Sequence, residues 1–218
     1  MTTVFLLSPA YCGGRRAKSL LRAGATIDVA TRLHAGRLTL ADAFTFCSGL
    51  YFRGKIAYAR AFAKTRDCAF VITPTRGLQP PDTIVSADVI REFAAVDIAS
   101  DDSRYRVPVD RDLTALAARL TGESRVVLLG SIATGKYVDV LVERLGERLC
   151  FPPSFVGRGD MSRGGLLLRH AASGVELEYV PLARHTPRHG PRPPKLDPST
   201  RIPVVKHIRL RDTRTPSL

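Results

Sequence analysis

The sequence predicts an α/β protein: a three-layer sandwich with a mostly parallel central sheet, followed by a C-terminal hairpin and an extended basic tail. Two observations carry that prediction. Three apolar runs of β type, Val4–Pro9, Cys68–Thr73 and Arg125–Gly130, are uninterrupted rather than alternating, as strands covered on both faces are. Between and after them lie segments with helical spacing, so strands and helices alternate along the chain.

The first strand enters a polar, glycine-containing loop, Ser8–Gly14, and a helix is expected over Arg15–Arg22. Leu40–Phe52 is apolar with aromatics spaced as in a buried helix. Lys55–Lys64 (KIAYARAFAK) is helical, with Ile56, Ala59 and Phe62/Ala63 on one face. The second strand runs into the turn-rich TPTRGLQPPD. Asp88–Ala95 reads as a short helix and Asp110–Leu120 as a longer one, its acidic start favoured by the helix dipole. Tyr137–Leu145 follows the third strand as a helix, and Leu149–Phe151 reads as a short fourth strand. Pro152–Gly165 is expected to be a long glycine-rich loop. Leu166–Arg169 and Val175–Val180 are expected to form a hairpin around Ala172–Gly174. These segments make one domain, 1–183, and the Pro-rich remainder, 184–218, makes an extended tail.

The 218 residues carry a formal net charge of +13. From Arg184 to Leu218 there are nine Lys/Arg and two Asp/Glu, so +7 of the excess lies in the last 35 residues. That sign favours anionic partners, nucleotides or nucleic acid. No stretch approaches the about 20 apolar residues of a membrane span, and Val4–Leu7 is too short for a signal-peptide core. The expectation is a cytoplasmic protein without a membrane partner. Its four scattered cysteines, Cys12, Cys47, Cys68 and Cys150, are then reduced and packed as small hydrophobes. No Cys/His spacing points to a metal, and no cofactor is implied.

Three loops follow the three best strands, and in a parallel sheet they converge on one edge, where ligands bind. Each brings a cation and a hydroxyl: Arg15 with Ser8, Arg76 with Thr73, and Lys136 with Ser131. Gly130–Lys136 (GSIATGK) has the spacing of a phosphate-binding loop, with Gly135 and Lys136 opening a helix. Tyr137 stands where Ser or Thr would hold magnesium, which favours simple anion binding over a nucleoside triphosphatase. In GRGDMSRGG (157–165), Arg158 and Arg163 suit bidentate contacts to phosphate or carboxylate. Asp160, the only acid there, is the candidate catalytic residue, as general base or as orienter of an arginine. A purely internal Asp–Arg pair is the competing reading. Arg53 and Lys55 sit near a helix start, where cations oppose the dipole. A ligand or simple solvation would each explain them.

The segments LLSPAYCGGRRAKSL, LYFRGKIAYARAF and ITPTRGLQPPD together resemble a bacterial superfamily. It contains the peroxide-stress DNA-binding proteins and the uracil-DNA-glycosylase-like domain of archaeosine synthase. Thr73, Arg76, Gly77, Leu78 and Pro80 match its Ser/Thr-x-x-GL-x-P segment, while Ser8-Pro9 replaces its paired cysteine-serine start. The resemblance implies an enzyme acting on a nucleobase, nucleotide or nucleic acid, by glycosidic cleavage or base modification. The alternative is a noncatalytic DNA-binding protein of stress protection. The converging loops, the 157–165 segment and the resemblance together give the expected binding residues: Ser8, Arg15, Thr73, Arg76, Gly77, Ser131, Gly135, Lys136, Tyr137, Arg158 and Arg163.

Overall fold

The computed structural model describes residues 2–98 and 101–197. A six-stranded sheet runs in the order β3-β2-β1-β4-β5-β6. Its strands are β1 (Thr2–Leu7), β2 (Ala69–Ile72), β3 (Leu78–Gln79), β4 (Ser124–Leu129), β5 (Leu149–Phe151) and β6 (Val180–Pro181). The four inner strands are parallel, and β3 and β6 pair antiparallel at the two edges. Leu6 lies opposite Leu128, and the whole of β1 pairs in register with the whole of β4.

The apolar runs are buried on both faces because helices cover both. Val4, Leu6, Val126 and Leu128 pack against α6 (Ser103–Arg119) and α7 (Gly135–Leu145). Phe5, Leu7, Val127 and Leu129 point the other way. They pack against a second layer of α1 (Arg15–Leu20), α2 (Asp28–His34), α3 (Leu40–Ser48), α4 (Leu50–Phe62), α5 (Ala87–Ala94) and α8 (Asp160–Ser173). This is the expected three-layer α/β sandwich.

Several local expectations are corrected. The apolar stretch from Leu40 is two helices, broken at Gly49, whose φ of +67° is costly for any other residue. The α6 helix begins seven residues before Asp110, after the capping carboxylate of Asp102 accepts from the Arg104 amide at 2.9 Å. The expected glycine-rich loop ends at Gly159. Leu166–Arg169, expected as half of a hairpin, lies inside α8, and Gly174 terminates that helix at a φ of +71°. Only Val180–Pro181 forms a strand there.

Gly164 sits in α8 because that helix crosses α4 backbone to backbone. A Cβ added at Gly54 would lie 2.7 Å from the Gly164 carbonyl oxygen. One added at Gly164 would lie 2.7 Å from the Leu50 carbonyl oxygen and 2.8 Å from the Tyr51 Cα. The close contact outweighs the about 1 kcal/mol helix penalty of each glycine.

The tail from Arg184 to Asp197 has no helix or strand, yet it packs against the domain. Arg188 pairs with Asp139 of α7 at 2.5 Å, and the Arg158 guanidinium donates to the Pro194 carbonyl at 3.3 Å. Five of the nine tail cations, Arg201, Lys206, Arg209, Arg211 and Arg214, lie outside the described residues.

Candidate active site

From β1 the chain crosses to β2 on one side; from β4 it crosses to β5 on the other. The loops after β1 and β4 therefore part, leaving a crevice at the carboxyl ends of these two neighbours, the switch point where α/β sheets bind ligands. Its floor is Ser8 and Gly130. The Ser8 amide donates to the Leu129 carbonyl at 3.2 Å, which extends the ladder. A Cβ on Gly130 would lie 2.8 Å from Ser8 Cβ and 3.1 Å from the Tyr137 hydroxyl, so only glycine lets these groups meet.

Lys55 reaches this floor from the second turn of α4. It is only 1% exposed. Its Nζ donates to the Ser8 carbonyl at 2.9 Å and lies 2.7 Å from Ser8 Oγ. It also sits 4.1 Å from the centroid of the Tyr51 ring. No carboxylate among the described residues bonds to it. A buried ammonium without a counter-ion is costly, so the proton is held weakly. Burial lowers the Lys55 pKa from 10.5 to about 7, with the Asp160 charge opposing that shift and Arg163 reinforcing it.

Two tyrosines line the crevice. Tyr137, on α7, donates to the Ser131 carbonyl at 2.5 Å, and burial raises its pKa while the Ser8 hydroxyl opposes the rise. Tyr51 is buried, and its hydroxyl has no hydrogen-bond partner among the described residues. Burial, more than the neighbouring Tyr137, pushes its pKa up, and Arg163 pulls it down. An orphaned buried hydroxyl costs about 1–3 kcal/mol, a cost a ligand group would remove.

Asp160 and Arg163 enter on the first turn of α8. Arg163 is buried, donating to the Phe155 carbonyl at 3.1 Å and pairing with Asp160 at 3.1 Å. Asp160 keeps 67% of its side chain exposed. Its charge bears on Lys55, Tyr51 and Tyr137 alike, which places it at the mouth of the crevice.

Of the sequence candidates, the structure brings together Ser8, Tyr137, Asp160 and Arg163, with Ser131 and Gly135 on the adjoining loop. It engages the others differently. Thr73 Oγ closes a turn onto the Gly77 carbonyl at 2.9 Å. Gly77, at a φ of +63°, makes room for Asp112, which accepts from the Leu78 amide at 2.8 Å. Arg76 follows β2 at the expected edge but is held by Glu92 of α5 through two bonds of 2.7 and 3.1 Å. The expected sharing of one anion by Arg76 and Lys136 therefore meets a guanidinium already neutralised. At the start of α7, Asp139 folds toward Gly135 and brings Arg188, so the chain's own carboxylate lies at that turn. Arg158 is taken up by the Ser154 carbonyl, Ser162 and Pro194. Arg15 and Lys136 are exposed.

The residue that sequence reasoning placed ambiguously is Lys55, and those it left out of the binding set are Tyr51 and Gly130. The one signal was a pair of cations, Arg53 and Lys55, in the otherwise apolar LYFRGKIAY, of which the structure buries Lys55 and exposes Arg53. Among the described residues there is no group of three His, Cys, Asp or Glu side chains that could hold a metal ion. Nor is any helix among them long and apolar enough to cross a membrane. Comparisons with protein-family models, curated proteins and solved structures found no match.

Proposed function

We propose that the Ser8–Lys55 crevice is the active site of an enzyme acting on a nucleobase, nucleotide or nucleic acid, by glycosidic cleavage or base modification. The observation that carries the reading is Lys55: a sealed amine whose oxygen partners both belong to Ser8, at the sheet's switch point. A lysine held near neutrality at pH 7 is matched to proton transfer. It is the better proton acceptor than Asp160, which is largely exposed and already paired with Arg163. Ser8 Oγ, 2.7 Å away, would pass the proton on, and Arg163 would meet substrate charge at the mouth. The substrate class is supported by the net charge of +13, by tyrosine rings beside the amine, and by the superfamily resemblance of the loops. The reading places the protein in the cytoplasm, where its free cysteines stay reduced.

The test is a thermal-shift screen of nucleosides, nucleotides and short DNA, run on the wild type and on Lys55→Met, followed by a turnover assay on whatever stabilises. Selective stabilisation by a small nucleotide, weakened in the variant, is the expected result. Stabilisation by DNA alone, unchanged in Lys55→Met, would instead favour a noncatalytic DNA binder working through the basic tail.

A further inference from the structure

The crevice asks for more than a proton acceptor. We propose that Lys55 is an imine-forming nucleophile whose substrate is the open-chain aldehyde of a phosphorylated pentose, free or within a nucleic acid. The proposal deepens the active-site reading above and rests on it.

Imine formation makes three demands, and the residues around Lys55 meet each. The amine must carry a lone pair. Lys55 contacts two neutral oxygens of Ser8 and no carboxylate among the described residues, so no ion pair holds it as an ammonium. Protons must move between nitrogen and the departing oxygen. Ser8 Oγ, 2.7 Å from Nζ, is a relay in place, and the Tyr137 hydroxyl lies close beside Ser8. The cation that forms must be stabilised without being trapped. The Tyr51 ring, 4.1 Å from Nζ, stabilises an iminium through its face, and a carboxylate there would hold a proton on the amine instead.

The step balances. The Nζ lone pair adds to the aldehyde carbon and forms a C–N bond, and a proton leaves nitrogen through Ser8 for the carbonyl oxygen. The carbinolamine oxygen then takes a proton from Ser8 Oγ and leaves as water, the iminium so formed gives its remaining N–H proton back to Ser8, and a neutral C=N remains. No oxidant or reductant is consumed. The sugar follows from glycosidic cleavage, which leaves a hemiacetal carbon in equilibrium with an aldehyde. The phosphate follows from Arg163, a buried guanidinium at the crevice mouth whose Nε and Nη1 are engaged by the Phe155 carbonyl and the exposed Asp160, so its second amino group is the one a phosphate would take. The Tyr51 hydroxyl, unpartnered among the described residues, is placed to bind a sugar hydroxyl. Because Lys55 is 1% exposed, entry must move the lining side chains, and the reaction is slower than for a surface amine of equal basicity.

The experiment is reductive trapping. The full-length protein is incubated with ribose 5-phosphate, or with a DNA oligonucleotide carrying one abasic site, in the presence of sodium cyanoborohydride. The adduct is then located by peptide mass spectrometry. The expected result is a secondary amine on Lys55 in preference to the exposed Lys18, Lys64, Lys136 and Lys195. Its yield should rise about tenfold from pH 6 to pH 8 and level off there, as the amine loses its proton around pH 7. Mapping on the wild type needs no variant, so a Lys55→Met chain that failed to fold would not spoil it. Ser8→Ala should keep the adduct on Lys55 and slow its formation at least about tenfold. The ribose 5-phosphate and oligonucleotide arms identify free sugar phosphate or nucleic acid as the source.

Adducts spread evenly over the exposed lysines, or none at all, overturn the proposal. Nucleotide turnover without trapping would sink the imine and leave the active-site reading standing. Trapping on Lys55 without turnover of any nucleoside or nucleotide supports the imine and removes the nucleobase as substrate.

Discussion

The buried amine of Lys55 should make stability depend on pH in a way one substitution removes. The Lys55 pKa falls from 10.5 in the unfolded chain to about 7 in the fold. Below pH 7 the amine is protonated in both states, and the folded state bears the full cost of burying the charge. Between pH 7 and 10.5 the unfolded chain binds more protons than the folded one, so stability must rise with pH in that window. The slope approaches about 1.4 kcal/mol per pH unit. From pH 7.5 to 9.5 the Lys55 contribution is therefore about 2–3 kcal/mol. Tyr51 and Tyr137 have folded pKa values raised above 10, so their contribution is present below pH 10 and lost above it. Measurements kept below pH 9.5 avoid that opposing effect. Urea unfolding of the wild type and Lys55→Met across this range isolates the amine, because the other titrating groups cancel in the difference. The wild type should gain about 2–3 kcal/mol on the variant, a midpoint shift near 1 M at an m-value of about 2–3 kcal/mol per M. Parallel curves, within about 0.5 kcal/mol, would show that the amine keeps its charge in the fold, and the chemistry assigned to it would fall with them.

Three further outcomes are expected. Gly164→Ala should cost about 3 kcal/mol or more, because the added Cβ meets the backbone of Leu50 and Tyr51, which cannot move aside; an unchanged melting temperature would refute the crossing. Asp160→Asn should leave turnover in place while moving the acid limb of its pH profile downward, since the Asp160 charge raises the Lys55 pKa; abolished turnover would return the role of proton acceptor to Asp160. Removing Arg184–Leu218 should weaken DNA binding and flatten its dependence on salt, as fewer phosphates are neutralised, and an unchanged slope in a filter-binding titration would count against an electrostatic arm.

The sheet was legible because its strands, buried on both faces, show as uninterrupted apolar runs, and β1, β2, β4 and β5 lie within two residues of their expected bounds. Helices hidden by local chemistry were not. In α8, two glycines argued for a loop, and the contact with α4 explains why the helix holds Gly164, while a Cβ at Gly165 would meet only the Leu196 side chain, at 3.3 Å. In α6, Pro108 masked a periodic set that is wholly buried, Tyr105, Val109, Leu113 and Leu116. The site was half legible. Position after a strand was enough to find Ser8, Ser131 and Gly135, and charge in a glycine-rich segment was enough to find Asp160 and Arg163. The same rule also selected Arg76, because a sequence does not show that Glu92, sixteen residues away, returns on α5 to neutralise it. Lys55 was seen as a cation out of place, but its burial depends on β1, 47 residues earlier, delivering Ser8 beneath it.

The glycine crossing links the fold to the chemistry. Gly54 lies next to Lys55, and Gly164 lies next to Arg163, so the contact that brings α4 and α8 together also sets the distance between the amine and the guanidinium. A larger residue at either position would lift α8 away and carry Arg163 and Asp160 from the mouth. It would also open the cover over Tyr51 and admit water to Lys55. Water would solvate the ammonium, raise its pKa toward the ordinary value and take away the lone pair on which both proton transfer and imine formation depend. Glycines inside helices, a lysine without a counter-ion among the described residues and the unpartnered Tyr51 hydroxyl thus fall within a few residues of one another, whereas the other unpartnered tyrosine hydroxyl, that of Tyr105, lies in the opposite layer. Each costs stability by itself. A core selected for stability alone would replace them with alanine, methionine and phenylalanine, and their clustering at the sheet's switch point is what supports the proposal that chemistry occurs there.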